Sequence, residues 1–182
     1  LFQLAHVVLP TIFVLYMGYR YDWGLAVLGW TFLATGVSGV VVQVFLVGPI
    51  VKRFGEKTAV ILGAAAGCVG FAWYAWAPTG ALYLLAVPVF AFTSLMMPGL
   101  QGLMTRKVEP SEQGQLQGAN QALMGLSSIF GPVIFGEAFA WSIRHEGFHL
   151  PGLAIYLAAA MMGLALLLIL GAARPPPREP GA

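Results

Sequence analysis

Six apolar runs follow one another along this chain with only short polar turns between them, at residues 1–19, 25–51, 58–77, 81–104, 118–143 and 152–173. The hydrocarbon core of a bilayer is about 30 Å thick, and a helix crosses it with roughly 20 apolar residues. Backbone in lipid must satisfy its own hydrogen bonds, so such runs are helices. The turns "GYRYDWG", "KRFGEK", "APTG", "TRKVEPSEQGQLQ" and "RHEGFHLP" leave no room for a soluble domain. The expected class is all-α, a polytopic membrane protein of six transmembrane helices. Composition agrees: 59% of residues are hydrophobic and 9% charged, against roughly 45–50% and about 25% in globular domains. Mean hydropathy is +0.82.

Charge gives direction. Cytoplasmic turns collect Lys and Arg. Lys52, Arg53, Lys57, Arg106, Lys107, Arg174 and Arg178 fall on one side, and only Arg20 and Arg144 on the other. Both ends are therefore expected in the cytoplasm, in a multi-pass arrangement in the cell's inner (plasma) membrane. Trp and Tyr favour the membrane–water boundary, and Tyr19, Tyr21, Trp23, Trp76, Tyr83 and Trp141 all fall near the expected outer edge. Residues 1–173 read as one bundle. The proline-rich 174–182 reads as a short disordered cytoplasmic tail.

"LFQLAHVVLPTIF" has neither the charged start nor the cleavage site of a signal peptide. A longer protein cut just before this helix is the expectation. A net charge of +2, scattered along the chain, gives no nucleic-acid footprint. The lone Cys68 makes no intrachain disulfide. No metal-ligand cluster, phosphate-cradling loop or nucleophile–base pair is evident, so neither a cofactor nor an enzyme is expected.

Charge is densest in "VGPIVKRFGEKTAVIL". A basic anchor that fixes topology accounts for part of this. Beyond that, Gly48 permits close helix contact, and Gly55 permits a positive φ in a tight turn. Arg53 and Lys57 reach for helix C-termini, while Glu56 sits near a helix N-terminus, where the dipole favours an anion.

This stretch resembles the conserved cytoplasmic loop of the major facilitator superfamily, Gly-x4-(acid)-Arg-x-Gly-basic-basic. It is closest to the copy between the eighth and ninth helices of the tetracycline-efflux drug:proton antiporters. Gly48, Arg53, Gly55 and Lys57 match the pattern, and Lys52 stands where the N-terminal copy has Asp. "MPGLQGLMTRKVEPSEQGQLQGANQAL" resembles the region after the family's tenth span, and "RYDWG" the outer loop after the seventh. The resemblance implies the C-terminal half, helices 7–12, of a twelve-helix carrier built as two inverted three-helix repeats. It further implies a missing N-terminal six-helix half as partner, a small-molecule substrate near the midplane, and protons as the coupled ion. The loop at Gly48, Arg53, Gly55, Glu56 and Lys57 would lock against neighbouring helix ends in one state and release in the other.

Ionisable groups inside spans are costly and suggest function. Gln3, His6 and Pro10 share one helical stripe. His6 there is either a cavity-facing ligand or proton carrier, or a neutral histidine hydrogen-bonded to another helix. Glu137 is either a proton-coupling group or a carboxylate that snorkels or pairs with Arg144. Gln43, Thr93, Ser94, Gln101, Gln117, Asn120, Gln121, Ser127 and Ser128 populate three spans. Asn120, Met124, Ser127 and Gly131 form one face, suited to a cavity wall or to interhelical hydrogen bonds. Aligned on the loop, Gly39 and Gly67 stand where tetracycline exporters carry His and Asp, so a different amphipathic compound is expected. The reading is proton-driven efflux by alternating access, and the competing one a non-transporting membrane scaffold or truncated half-carrier.

Overall fold

The computed structural model describes residues 1–145 and 150–172, and among them every regular element is helical. The expected tail lies outside the described residues. In chain order the α-helices are α1 Phe2–His6, α2 Val8–Tyr21, α3 Leu25–Val41, α4 Val47–Trp76, α5 Gly80–Ala91, α6 Met96–Thr105, α7 Gln113–Arg144 and α8 Leu153–Ala172. A π-helical turn, Val42–Leu46, joins α3 to α4, and a 3₁₀ turn, Phe92–Leu95, joins α5 to α6. A second 3₁₀ turn, Pro110–Glu112, leads into α7.

The ends of these helices follow from local chemistry. Asp22 stops α2 in the left-handed region at φ 53°, which Asp tolerates because its short polar side chain bonds locally. Thr79 caps α5 by accepting from the Leu82 amide at 3.4 Å. Glu109 and Glu112 form a reciprocal capping box ahead of α7.

Five helical stretches are long and apolar enough to cross a membrane: Phe2–Tyr21, Leu25–Trp76, Gly80–Thr105, Pro110–Arg144 and Leu153–Gly171. The second has 52 residues, about 78 Å if straight, far beyond a bilayer. It is not straight. A methyl group on Gly39 would stand 3.8 Å from Ser94 Oγ, and one on Gly67 would stand 3.2 Å from Thr93 Cγ2. In one straight helix those glycines would be about 42 Å apart, yet they meet adjacent residues. The chain folds back between them, and Gly55, at φ 82° and ψ 163°, is the non-helical residue of α4.

α4 runs through the middle of the bundle against α8, α6 and α5. Lipid tails are as apolar as the helices, so packing rather than water exclusion joins them, and small residues bring backbones close. A Cβ on Gly63 would lie 2.7 Å from Met96 Cγ, one on Gly67 2.3 Å from Met162 Cε, and one on Gly70 2.9 Å from the Phe90 ring. Leu25, Trp30, Phe45, Val133 and Leu167 stay exposed instead, as side chains that face lipid do.

The aromatic belt is only partly as expected. Tyr19, Trp76 and Trp141 are exposed. Tyr83 is buried: it stacks on Tyr74 with ring centroids 4.1 Å apart and meets Tyr21 and Trp23 edge-on. It is a packing residue inside the bundle, not a boundary anchor. Arg20 braces the same end, donating from Nε to the Ala77 carbonyl at 3.1 Å and from a terminal nitrogen to the Trp76 carbonyl at 3.0 Å. Tyr21 donates to Ala77 O at 2.6 Å and Tyr16 to Tyr74 O at 3.1 Å. Together they satisfy carbonyls left open where α4 ends.

Candidate functional site

Three helical stretches border a cavity of about 350 Å³. Thr35, Gly39 and Gln43 lie four residues apart along α3 and the π turn, so they share one face. Opposite them are Phe90, Thr93, Ser94 and Met97, with Phe2 and His6 from α1 completing the wall. Gly39 keeps space open, since a side chain there would meet the Ser94 hydroxyl.

The backbone is irregular on two of the three stretches that line this cavity: Gln43 lies in the π turn, and Thr93 and Ser94 in the 3₁₀ turn. The π and 3₁₀ turns touch each other. Such turns expose groups that a regular α-helix would tie up, and they concentrate at functional sites. In a membrane, irregular backbone is tolerated where it is buried in protein or lines a cavity.

His6 sits among rings. Phe2 lies 4.5 Å away centroid to centroid, Phe90 is stacked at 5.6 Å and Phe71 edge-on at 5.7 Å. Its Nδ1 is buried with no hydrogen-bond partner. Among the described residues no hydrogen bond from another helix reaches Nδ1, and aromatic rings pack around the imidazole.

Gln3, Asn120 and Ser127 line a second cavity of about 190 Å³, with Leu1, Leu100, Met104 and Leu123. Phe2 and Met97 border both cavities. Gln3 Nε2 donates to Met97 Sδ at 3.5 Å. Ser127 donates to the Leu123 carbonyl at 2.9 Å, so its hydroxyl is already engaged within its own helix. Gly131, on the same face, abuts Val7, and Pro10 is exposed. The structure thus brings His6, Gln43, Thr93 and Ser94 to one cavity and Gln3, Asn120 and Ser127 to its neighbour. Glu137 is exposed on α7, and no ion pair joins it to Arg144.

At the loop, Gly55 has the positive φ expected of it. Gly48 departs from expectation: a Cβ there would meet nothing within 4 Å, so close packing within this chain is not its role. Arg53 is exposed and lies over the Phe54 ring, 5.4 Å from its centroid. Glu56 accepts from Arg106 at 2.8 Å. Sequence reasoning missed this partner, although Glu56 and Arg106 both lie in basic turns assigned to one side of the membrane. It missed Phe2 and Met97 too, which as apolar residues in apolar spans carry no local signal.

A family model, the Major Facilitator Superfamily, matches residues 1–182, the whole chain. The chain belongs to the major facilitator superfamily. Among curated superfamily relatives, the chain is 36% identical over 140 residues to the class C tetracycline resistance protein of Escherichia coli, covering 77% of this chain and 35% of that protein. It is 30% identical over 168 residues to the class B protein of Escherichia coli, covering 91% and 42%. The chain therefore spans well under half the length of these relatives. Its fold matches a crystal structure of the POT family transporter PepTSo with a TM-score of 0.70 at 18% identity, over all of this chain and 37% of that one.

Proposed function

We propose that this chain is the C-terminal half-bundle of a secondary carrier that exports a small amphipathic compound in exchange for protons. The observation that carries the proposal is the cavity at His6, Gln43, Thr93 and Ser94, bordered by a π turn and a 3₁₀ turn. Aromatic rings flank polar groups there, as a site for an amphipathic molecule needs, and the volume falls in the range of roughly 300–1,000 Å³ that small-molecule sites occupy. The names of the tetracycline resistance relatives support an amphipathic drug as the class of cargo.

In this reading each limb of Leu25–Trp76 is one span, giving six spans in two inverted repeats with the basic turns on the cytoplasmic face. The bundle rocks against an N-terminal half, and the Gly48–Lys57 loop locks and releases with each cycle. His6 carries the proton or meets the cargo. In everted vesicles holding the full-length protein, adding substrate dissipates an imposed pH gradient, and His6→Ala abolishes the response. A full-length protein that moves none of a broad panel of amphipathic drugs overturns the reading.

A further inference from the structure

The two cavities, each walled mainly by apolar groups with a few polar side chains, are neighbours, and what divides them is small. Phe2 and Met97 border both. The two are held unequally: Phe2 packs against the buried core and meets the His6 ring at a tilt, whereas Met97 is held by one amide-to-thioether bond from Gln3. Methionine is unbranched and adaptable, and sulfur is a weak acceptor. Met97 is 38% exposed, so the bundle does not clamp it. It also follows the 3₁₀ turn that carries Thr93 and Ser94, which ties its position to the irregular backbone of the larger cavity.

Resting on the carrier reading above, we propose that Phe2 and Met97 are a movable partition that sets the size of cargo this half-site accepts. Closed, the partition leaves a one-ring compound in the larger cavity, its ring against Phe2, His6 and Phe90 and its polar groups toward Thr93 and Ser94. Open, it joins the two cavities. A flat multi-ring amphipath then lies across both, with hydrogen-bonding groups at its two ends toward Ser94 and Asn120. Gln3 sets how readily the partition opens, because it anchors the Met97 sulfur. The substrate class is thus an elongated amphipath, polar at both ends and apolar in the middle.

The test measures binding apart from transport. Purified full-length protein is dialysed to equilibrium with tetracycline, a four-ring probe, and with chloramphenicol, a one-ring probe. Met97→Ala and Gln3→Leu tighten tetracycline relative to chloramphenicol several-fold; Met97→Leu, which loses the sulfur acceptor but keeps the bulk, shifts the ratio the same way as Gln3→Leu and by less than Met97→Ala, and Ser94→Ala weakens both. A ratio unchanged in both Met97→Ala and Gln3→Leu, or no binding of either probe to the wild type, overturns the partition. Melting curves in detergent identify a variant that has failed to fold, and Gln3→Leu then carries the test. Shifted ratios without transport of either probe overturn the efflux reading and leave the partition standing.

Discussion

Arg106 donates to the Glu56 carboxylate at 2.8 Å, joining the turn after α6 to the residue that follows Gly55. Two glycines of α6 make the seat. A Cβ on Gly99 would stand 3.0 Å from the Glu56 carbonyl, and one on Gly102 would stand 2.8 Å from its Oε1. The carboxylate is mostly buried, at 13% exposure, while the guanidinium is 74% exposed. An ion pair so open to solvent contributes at most about 1 kcal/mol. Its weight is therefore positional: it fixes the loop relative to α6 in the conformation seen here.

Reversing either charge alone, Glu56→Arg or Arg106→Glu, slows transport several-fold; Arg106→Glu barely moves the melting temperature, whereas Glu56→Arg lowers it because a longer side chain enters the seat against Gly102. The double reversal recovers most of the rate. Vesicle transport beside thermal melting checks this, and a double variant no faster than the singles removes the pair from the cycle.

Gly55 occupies backbone space that is essentially closed to other residues, at φ 82° and ψ 163°. Gly55→Val costs about 1–3 kcal/mol in this turn and abolishes transport, while the protein still inserts and is recovered from membranes. Gly48→Ala is near neutral within this bundle, because a Cβ there finds open space. Normal transport from Gly55→Val ends the gating role.

Arg20 donates to two consecutive carbonyls at the end of α4. Hydrogen bonds from charged donors contribute about 1.5–3 kcal/mol, reduced here because Arg20 is partly exposed. Arg20→Ala lowers stability by about 1–2 kcal/mol, and Tyr21→Phe, which loses the bond to Ala77 and the hydroxyl's contacts with Tyr16 and Arg20, by about 1 kcal/mol. Thermal unfolding in detergent reads both. Equal melting curves show that water replaces these donors without cost.

Sidedness has a direct test. In a Cys68→Ser background, Arg53→Cys reacts with an impermeant thiol reagent only from the cytoplasmic face, and Arg20→Cys only from the outside. Reaction of the Arg53 position in intact cells inverts the topology.

The polar lining of the larger cavity was legible in the sequence. His6, Gln43, Thr93 and Ser94 stand out because polar groups in lipid are rare and costly, and they meet in one cavity. Gly55 stands out because a turn this tight between two spans needs a residue free of Cβ constraints. Tyr83 misled for a physical reason. An aromatic residue near a span's end has the same local sequence whether its ring meets lipid headgroups or Tyr74.

By itself the sequence determined the solvent. Apolar runs of this length leave the backbone no partner but itself, so helices in lipid and the turns between them follow from local chemistry. Their basic bias points the same way for direction. Only the tertiary structure decided which helix faces meet: that Phe2 and Met97 stand between two cavities, that Glu56 reaches Arg106, and that the π turn carrying Gln43 touches the 3₁₀ turn carrying Thr93. Those relations depend on helix rotation and approach, which close packing of glycine faces sets between segments far apart in the chain.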